Sequence, residues 1–226
     1  MSIRNVTTEI EDMAKIFNIQ FSKEHYSGKY DDITRFISYF YQIDLVRKLK
    51  PNNVLEIGIG NKTVANYLKQ NGIKIDTCDF NKDLKPDYIA DIRDLPFSDK
   101  SYDVVMACEI LEHIPWTDVD KSLRELYRIS KKYVLISIPH SSAGFELILK
   151  FPFIGRIIKK PFLDLFFRIP YFFKSIKFHG EHYWEMGRKD YPVRRIRCAF
   201  GKYFKILKEV RPIINSYHHF FILGKK

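Results

Sequence analysis

Short apolar runs alternate with amphipathic stretches over the middle of the chain, and this alternation is the strongest constraint on its fold. Strands are predicted at residues 53–58, 73–78, 87–90, 102–108 and 132–138, with helices at 62–71 and 118–130. Strands of this length, separated by helices, are typical of βαβ units. The sequence therefore predicts an α/β domain around a mostly parallel sheet.

Two more strands are predicted near the end of the chain, at residues 204–212 and 217–223. Their connection is short, whereas a parallel crossover takes about a dozen residues or more. The two strands must therefore run antiparallel to each other. The predicted fold class is a doubly wound sheet of seven strands, mostly parallel with an antiparallel edge.

The segments around this core divide the chain into four parts. Residues 1–50 are predicted to form an N-terminal helical cap, because apolar residues at Ile33, Phe36, Ile37 and Phe40 follow a three-four spacing. Residues 51–140 are the core, and residues 190–226 add a last helix and the antiparallel strand pair.

Residues 141–189 break the alternation and are predicted to be a helical insertion after the fifth strand. The segment is dense in Phe and Ile, is interrupted by prolines, and carries many Lys and Arg residues. Apolar and basic residues mixed in this way resemble an interfacial surface, so residues 145–178 are a candidate contact with an anionic membrane. In that interpretation the segment is a cap over a ligand site that rests on the membrane. A helical subdomain whose Phe residues form its own core is an equal alternative.

The positive charge of the chain is concentrated at its C-terminal end. Residues 1–140 hold 20 basic and 21 acidic residues, whereas residues 141–226 hold 18 basic and 6 acidic ones. Such an asymmetry favours an acidic partner, namely anionic lipid, nucleic acid or a phosphorylated substrate. Nucleic acid is the least favoured of these, because no RNA-binding module pattern is present.

The cellular location is predicted from what the sequence lacks. Three widely spaced Cys residues fit a reducing compartment, the first residues hold no apolar signal region, and no uncharged apolar run is long enough for a spanning helix. The expectation is a cytoplasmic protein, with a peripheral position at the inner face of a membrane as the open alternative.

The stretch VLEIGIGNKT at residues 54–63 lies where the first strand meets the following helix. Gly58 and Gly60 allow a ligand to approach the backbone, and the helix N-terminus offers N–H groups. Glu56 would repel a pyrophosphate but attract a cation. Thr63 also stands where a dinucleotide site has its third glycine. The pattern favours a cationic ligand without a phosphate.

Two aspartates follow the next two strands. Asp79 ends the second strand, where a carboxylate can accept both hydroxyls of a ribose. Asp91 follows the third strand and is placed to accept from the exocyclic amine of a base. Each residue alone is more often a turn or cap residue. In order, and together with Glu56, they indicate a pocket for an adenosine with a cationic tail.

With these residues in place, the chain resembles the class I S-adenosylmethionine-dependent methyltransferases over roughly residues 50–140. The resemblance implies a Rossmann-like core and S-adenosyl-L-methionine as the cofactor. It places the glycine loop at the methionine moiety, Asp79 at the ribose and Asp91 at the adenine. The residues expected to bind the cofactor are Glu56, Gly58, Gly60, Asp79, Asp91, Ile92, Cys108 and Glu109.

Catalytic residues are harder to assign, because methyl transfer needs a base only when the acceptor arrives protonated. The candidates are His113, His140 and Tyr183, with His179 and His182 as further possibilities. His179 and His182 have a metal-like H-x-x-H spacing, but no further ligand cluster is evident in the sequence, so no metal is expected.

The resulting hypothesis is a methyltransferase acting on a small-molecule or lipid-linked acceptor, with oxygen as the favoured atom. Two alternatives stay open: a non-catalytic cofactor-binding partner or membrane adaptor, and an RNA methyltransferase. The sequence identifies neither the acceptor nor the oligomeric state.

Overall fold

The computed structural model describes residue 26 and residues 30–150, 162–170 and 181–226. Four helices and nine strands are found in these ranges. The helices are α1 (Ile33–Leu49), α2 (Thr63–Gln70), α3 (Trp116–Ile129) and α4 (Val193–Gly201). The strands are β1 (Asn53–Ile57), β2 (Lys74–Asp79), β3 (Tyr88–Ile89), β4 (Tyr102–Cys108), β5 (Ser130–Pro139), β6 (Ser142–Leu149), β7 (Leu163–Pro170), β8 (Phe204–Val210) and β9 (His218–Lys225).

Seven of the strands form one sheet in the order β3-β2-β1-β4-β5-β9-β8. Strand β1 is parallel to both of its neighbours, so Ile57 lies beside Cys78 of β2 and Ala107 of β4. The strand order reverses between β1 and β4. In sheets of this kind, ligands bind outside the carboxyl ends of the strands at this switch point.

The predicted antiparallel pair is present at the far end of the sheet, and β9 is the strand that runs against the others. It lies between β5 and β8 and is antiparallel to both. Because β9 is reversed, its first residue, His218, pairs with Pro139 at the end of β5. The start of β9 is thereby brought to the edge where the parallel strands end.

Helices cover both faces of the sheet, and alternate residues of each central strand serve the two cores. Leu55 and Val105 face a core that includes Leu123 of α3 and Phe200 of α4. The neighbouring residues Val54, Val104 and Met106 face a second core, to which α1 and α2 contribute Val46 and Leu68. This two-sided burial explains the continuous apolar runs in the sequence.

The prediction of a helical insertion is wrong for residues 142–149 and 163–170. These segments are the strands β6 and β7, which pair antiparallel with Phe145 opposite Phe167. Side chains alternate between the two faces of a strand, so one face of this pair carries apolar residues and the other carries Glu146, Asp164 and Arg168. Because alternate residues of a strand face opposite sides, the pair separates apolar from charged residues, which one helix face could not do. Residues 151–161 and 171–180 lie outside the described residues.

The N-terminal prediction is confirmed for helix α1. Asp32 caps its start, where Oδ1 accepts the backbone N–H of Arg35 at 2.8 Å. Lys50 ends the helix in a left-handed conformation just before Pro51. The rest of the predicted cap, residues 1–25 and 27–29, lies outside the described residues. Among the described residues, no helix is long and apolar enough to cross a membrane.

Candidate functional site

A cavity of about 380 Å³ lies at the carboxyl ends of β1, β2 and β4. All of the residues predicted to bind the cofactor line it: Glu56, Gly58, Gly60, Asp79, Asp91, Ile92, Cys108 and Glu109. Helix α1 closes one side of the cavity with Arg35 and Tyr39, and residues 181–182 and 217–218 contribute to the rest. The sheet topology therefore gathers residues that are widely spaced in the sequence.

The glycine loop has the backbone conformation that glycine alone adopts readily. Gly58 has φ +78° and Gly60 has φ +47°. A Cβ atom at position 58 would lie 1.9 Å from Cδ1 of Ile110. Lys62, the one cation in the loop, is not part of the cavity wall, and its Nζ donates to the carbonyl of Lys85 at 2.5 Å. The loop thus leaves its backbone accessible to a ligand and turns its positive charge away.

Glu56 is a buried carboxylate at the end of β1, beside the glycine loop. Only 6% of its surface is exposed, and among the described residues its Oε2 atom has no hydrogen-bond partner. Burial raises the pKa of Glu56 to about 8, because the charged form loses its hydration, and the backbone N–H of Ala65 opposes this shift. A cationic donor in the cavity would satisfy Oε2 and favour the ionised form.

Asp79 ties the glycine loop to the end of β2. Its Oδ2 accepts the backbone N–H of Ile59 at 3.0 Å, and its Oδ1 accepts that of Asn81 at 2.9 Å. Burial raises the pKa of Asp79, although these hydrogen bonds act against the shift. Each carboxylate oxygen still has a second lone pair for a ligand hydroxyl.

Asp91 and Ile92 form the next part of the wall. Arg93 holds the Asp91 carboxylate with two side-chain bonds, at 2.6 and 2.9 Å, and with its backbone N–H at 2.8 Å. Burial alone would raise the pKa of Asp91, but the hydrogen bonds from Arg93 outweigh burial and lower it. Ile92 is 5% exposed and offers an apolar surface beside this anion.

Cys108 and Glu109 lie at the end of β4. Burial raises the pKa of the Cys108 thiol well above its usual value, so this thiol is neutral and unsuited to act as a nucleophile. Glu109 has φ +54°, which is uncommon for a residue with a side chain, and its Oε1 accepts from Oγ of Ser137 at 2.7 Å. Its other oxygen lies 3.6 Å from Nε2 of His218.

Of the three main catalytic candidates, only His113 lines the cavity. Its Nδ1 lies 2.8 Å from the carbonyl of Glu181. The ring of His182, a residue from the same HYW segment as Tyr183, packs against it with ring centroids 4.9 Å apart. His182 in turn lies 2.9 Å from Oε1 of Glu185. Two imidazoles and their oxygen partners therefore meet at one end of the cavity.

The other two catalytic candidates, His140 and Tyr183, are not part of the cavity wall. His140 is 6% exposed and pairs with His219 through nitrogens 3.3 Å apart. Burial lowers the pKa of His140 to about 3. Tyr183 packs against the core, and its backbone N–H donates to the carbonyl of Glu112 at 2.8 Å. His140 comes directly after the fifth strand, as expected, but its side chain is buried and does not line the cavity.

Several residues of the cavity wall had no signal in the sequence. Tyr217 and His218 come from the start of β9, which reaches the site only because that strand is reversed. Glu112 lies in the same short turn as His113 and is fully buried. Tyr26 and Arg35 come from the N-terminal segment, far from the motifs in the chain. For Arg35, the only sequence signal would have been the helical pattern of α1.

Comparison with known proteins identifies a family resemblance in the middle of the chain. Residues 55–137 match the family model described as a methyltransferase domain. This segment is similar to methyltransferase domains. The match spans β1 to β5 and includes the glycine loop and both aspartates, so it confirms the predicted resemblance to class I S-adenosylmethionine-dependent methyltransferases. No curated protein matches the sequence.

Solved structures show the same fold at low sequence identity. Magnesium protoporphyrin IX methyltransferase from Synechocystis PCC 6803, with bound S-adenosylmethionine, aligns with a TM-score of 0.59 and 12% identity, over 97% of this chain and 96% of that one. A methyltransferase from Aquifex aeolicus gives a TM-score of 0.56 and 13% identity, over 92% and 100%.

A third similar structure is the 1,6-didemethyltoxoflavin-N1-methyltransferase from Burkholderia thailandensis, solved with its acceptor and S-adenosylhomocysteine. It aligns with a TM-score of 0.55 and 12% identity, over 100% of this chain and 91% of that one. The acceptors of these enzymes differ. The shared fold therefore supports the α/β architecture of the methyltransferase domain and leaves the acceptor to be inferred from the cavity.

Proposed function

We propose that the protein transfers a methyl group from S-adenosyl-L-methionine to an oxygen of a small or lipid-linked acceptor. One observation carries the proposal: the residues expected from the sequence to bind the cofactor all line a single cavity at the switch point of the sheet. Bound S-adenosyl-L-methionine supplies a methyl group on a sulfonium with an excellent leaving group.

The residues of the cavity fit this cofactor. Oε2 of Glu56 is buried, has no hydrogen-bond partner within the described part of the chain, and suits the ammonium of an amino-acid end. Asp79 is positioned to accept the ribose hydroxyls, and Asp91 with Ile92 to hold the base. Gly58 and Gly60 keep the loop open at its backbone. With a donor this reactive, the protein mainly has to align the acceptor and exclude water.

Oxygen is favoured because a hydroxyl acceptor must lose a proton, and the cavity contains groups that can take it. His113 lies 3.9 Å from the Glu112 carboxylate, and His182 is oriented by Glu185. Burial alone would raise the pKa of Glu185, but hydrogen bonds from His182, Ser141 and other neighbours lower it to about 2. Glu185 is therefore ionised, and its hydrogen bond holds the His182 ring in place.

A lipid-linked acceptor is supported by the β6–β7 pair. Its outer face is apolar and exposed, with Phe145 at 61% and Phe167 at 63% exposure. Its other face is fixed to the core: Arg211 binds Glu146 at 2.5 Å and also binds Asp164. The C-terminal region that includes this pair carries 18 basic against 6 acidic residues, which complements an anionic lipid surface.

Incubation with labelled S-adenosyl-L-methionine and a host extract tests the function and the acceptor class. We expect label in the lipid or small-molecule fraction. The double variant Phe145→Ser with Phe167→Ser should lower lipid labelling by about tenfold or more, because two exposed rings are lost, and should leave cofactor affinity unchanged. Label in the nucleic-acid fraction would instead support an RNA methyltransferase. Cofactor binding with no labelled fraction would support a non-catalytic module.

The raised pKa of Glu56 gives a pH dependence of cofactor binding. Below pH 8 the free carboxyl is mostly protonated, and a cationic ligand favours its ionised form, so binding must release a proton. Between pH 6 and 7.5, the affinity for S-adenosyl-L-homocysteine should rise with pH by up to about tenfold per pH unit. Calorimetry on Glu56→Gln should show this dependence lost, whereas Glu209→Gln, outside the cavity, should keep it. An unchanged slope in Glu56→Gln would exclude this role.

A further inference from the structure

Three potential metal ligands meet at one end of the cavity. Glu112, His113 and His182 each place one donor atom within 4.8 Å of the others. The Glu112 Oε1 and His113 Nε2 atoms are 3.9 Å apart. Ligand atoms around a tetrahedral Zn²⁺ are about 3–3.5 Å apart, given bonds of about 2.0–2.2 Å. Small side-chain rotations would bring the three to coordination distance.

Glu112 is the second, independent sign of a cation. Its side chain is fully buried, and among the described residues neither carboxylate oxygen has a hydrogen-bond partner. An unpaired buried carboxylate is costly, and such groups are normally paired or bound to a metal. The nearby carboxylates of Glu109 and Glu185 make the surroundings still more negative. Glu112 is among the residues that line the cavity, so its carboxylate lies close to a space that a cation can enter.

Hydrogen bonds set the tautomer of each of the two imidazoles. Nδ1 of His113 lies 2.8 Å from the carbonyl of Glu181, and Nδ1 of His182 lies 2.9 Å from the carboxylate of Glu185. Because both partners can only accept, Nδ1 carries the proton in each neutral ring and Nε2 carries the lone pair. A metal-binding histidine typically donates a hydrogen bond from its other ring N–H to a carbonyl or a carboxylate in this way.

We propose that Glu112, His113 and His182 bind a divalent transition-metal ion, such as Zn²⁺ or Co²⁺. Two imidazoles and one carboxylate suit these ions better than Mg²⁺ or Ca²⁺, which prefer oxygen ligands. Three protein ligands also leave a coordination position open toward the cavity. The sequence predicts no metal here, because its H-x-x-H spacing joins His179 and His182, whereas Glu112 and His113 come from a distant turn.

The open coordination position could bind an oxygen of the acceptor, a role that rests on the proposed function. A hydroxyl of the acceptor bound to the ion would lose its proton to water more readily, since a metal lowers the pKa of a bound oxygen. With the ion bound, His113 and His182 would act as ligands and not as the base. The metal site would then select acceptors with an accessible oxygen. Ion binding itself requires neither the cofactor nor the acceptor.

Titration of the metal-free protein with Co²⁺ and Zn²⁺ tests the site without any activity assay. We expect one ion per chain, with visible Co²⁺ absorption and calorimetric Zn²⁺ binding. The variants Glu112→Gln and His182→Asn should bind at least about 100-fold more weakly, since each loses a ligand. Glu209→Gln is the matched control, because Glu209 lies 3.2 Å from His219 outside the cavity, and its Zn²⁺ affinity should not change.

The outcomes separate this proposal from the proposed function. No wild-type binding tighter than about 1 mM, or wild-type affinity in Glu112→Gln, would overturn the metal site. Circular dichroism checks folding; if Glu112→Gln does not fold, His182→Asn, a partly exposed position, carries the test. Ion binding without binding of S-adenosyl-L-homocysteine would keep the metal site and refute the methyltransferase proposal. The reverse result would refute only the metal site.

Discussion

Replacing Asp79 with Asn is expected to weaken binding of S-adenosyl-L-homocysteine by about 100-fold, as measured by calorimetry. A carboxylate that accepts two ribose hydroxyls contributes charge-assisted hydrogen bonds of about 1.5–3 kcal/mol each, and the amide keeps only one acceptor oxygen. The amide nitrogen would also face the backbone N–H of Ile59 or of Asn81, both of which now donate to the carboxylate. The loop would therefore lose its anchor together with the ligand contact.

Asp83→Asn is the matched control for this prediction. Asp83 is exposed, lies four residues further along the chain and is not part of the cavity wall. It undergoes the same chemical change and should bind S-adenosyl-L-homocysteine as the wild type does. If Asp79→Asn binds within about threefold of the wild type, the ribose role of Asp79 is wrong.

Replacing Gly58 with Ala should lower both stability and cofactor affinity. A residue with a Cβ at φ +78° is strained by about 1–2 kcal/mol, and the new methyl group would also lie 1.9 Å from the Ile110 side chain. Together these costs should reach about 2–4 kcal/mol and lower the melting temperature by roughly 5–12 °C. Affinity should fall at least about tenfold, because Ile110, which must move, lines the cavity.

Gly72→Ala separates strain from crowding in this experiment. Gly72 has φ +79°, almost the angle of Gly58, but a Cβ there meets nothing within 4 Å. We expect Gly72→Ala to show only the strain, a loss of about 1–2 kcal/mol, with unchanged cofactor affinity. Equal melting temperatures for the two variants would mean that Ile110 yields without cost and that the close contact at Gly58 has no structural role.

The sequence predicts most of the core, because the features that define it are local. Buried strands show as continuous apolar runs, and Pro51 marks the boundary after helix α1. Glu56, Asp79 and Asp91 follow the rule that ligands bind at strand ends, so their placement in one cavity could be expected from topology. The side-chain partner of Asp91, Arg93, is only two residues away, yet its bidentate geometry emerges only in three dimensions.

The features that the sequence did not predict depend on contacts between residues that are far apart in the chain. Residues 142–149 and 163–170 do alternate apolar residues with a period of two, but the Phe-rich and Pro-rich surroundings obscure it. Their strand pairing is fixed by partners 14 to 28 residues apart. His140 ends its strand as expected, but contact with His219 from β9 directs its ring away from the cavity. His182, near the end of the insertion, reaches the cavity beside His113, a contact that no local pattern indicates.

Calorimetric titration of the purified chain with S-adenosyl-L-homocysteine tests the central claim most directly. The cavity residues predict one bound molecule per chain in the micromolar range, with affinity reduced in Asp79→Asn and retained in Asp83→Asn. A folded wild-type protein that binds neither S-adenosyl-L-homocysteine nor S-adenosyl-L-methionine would contradict the account.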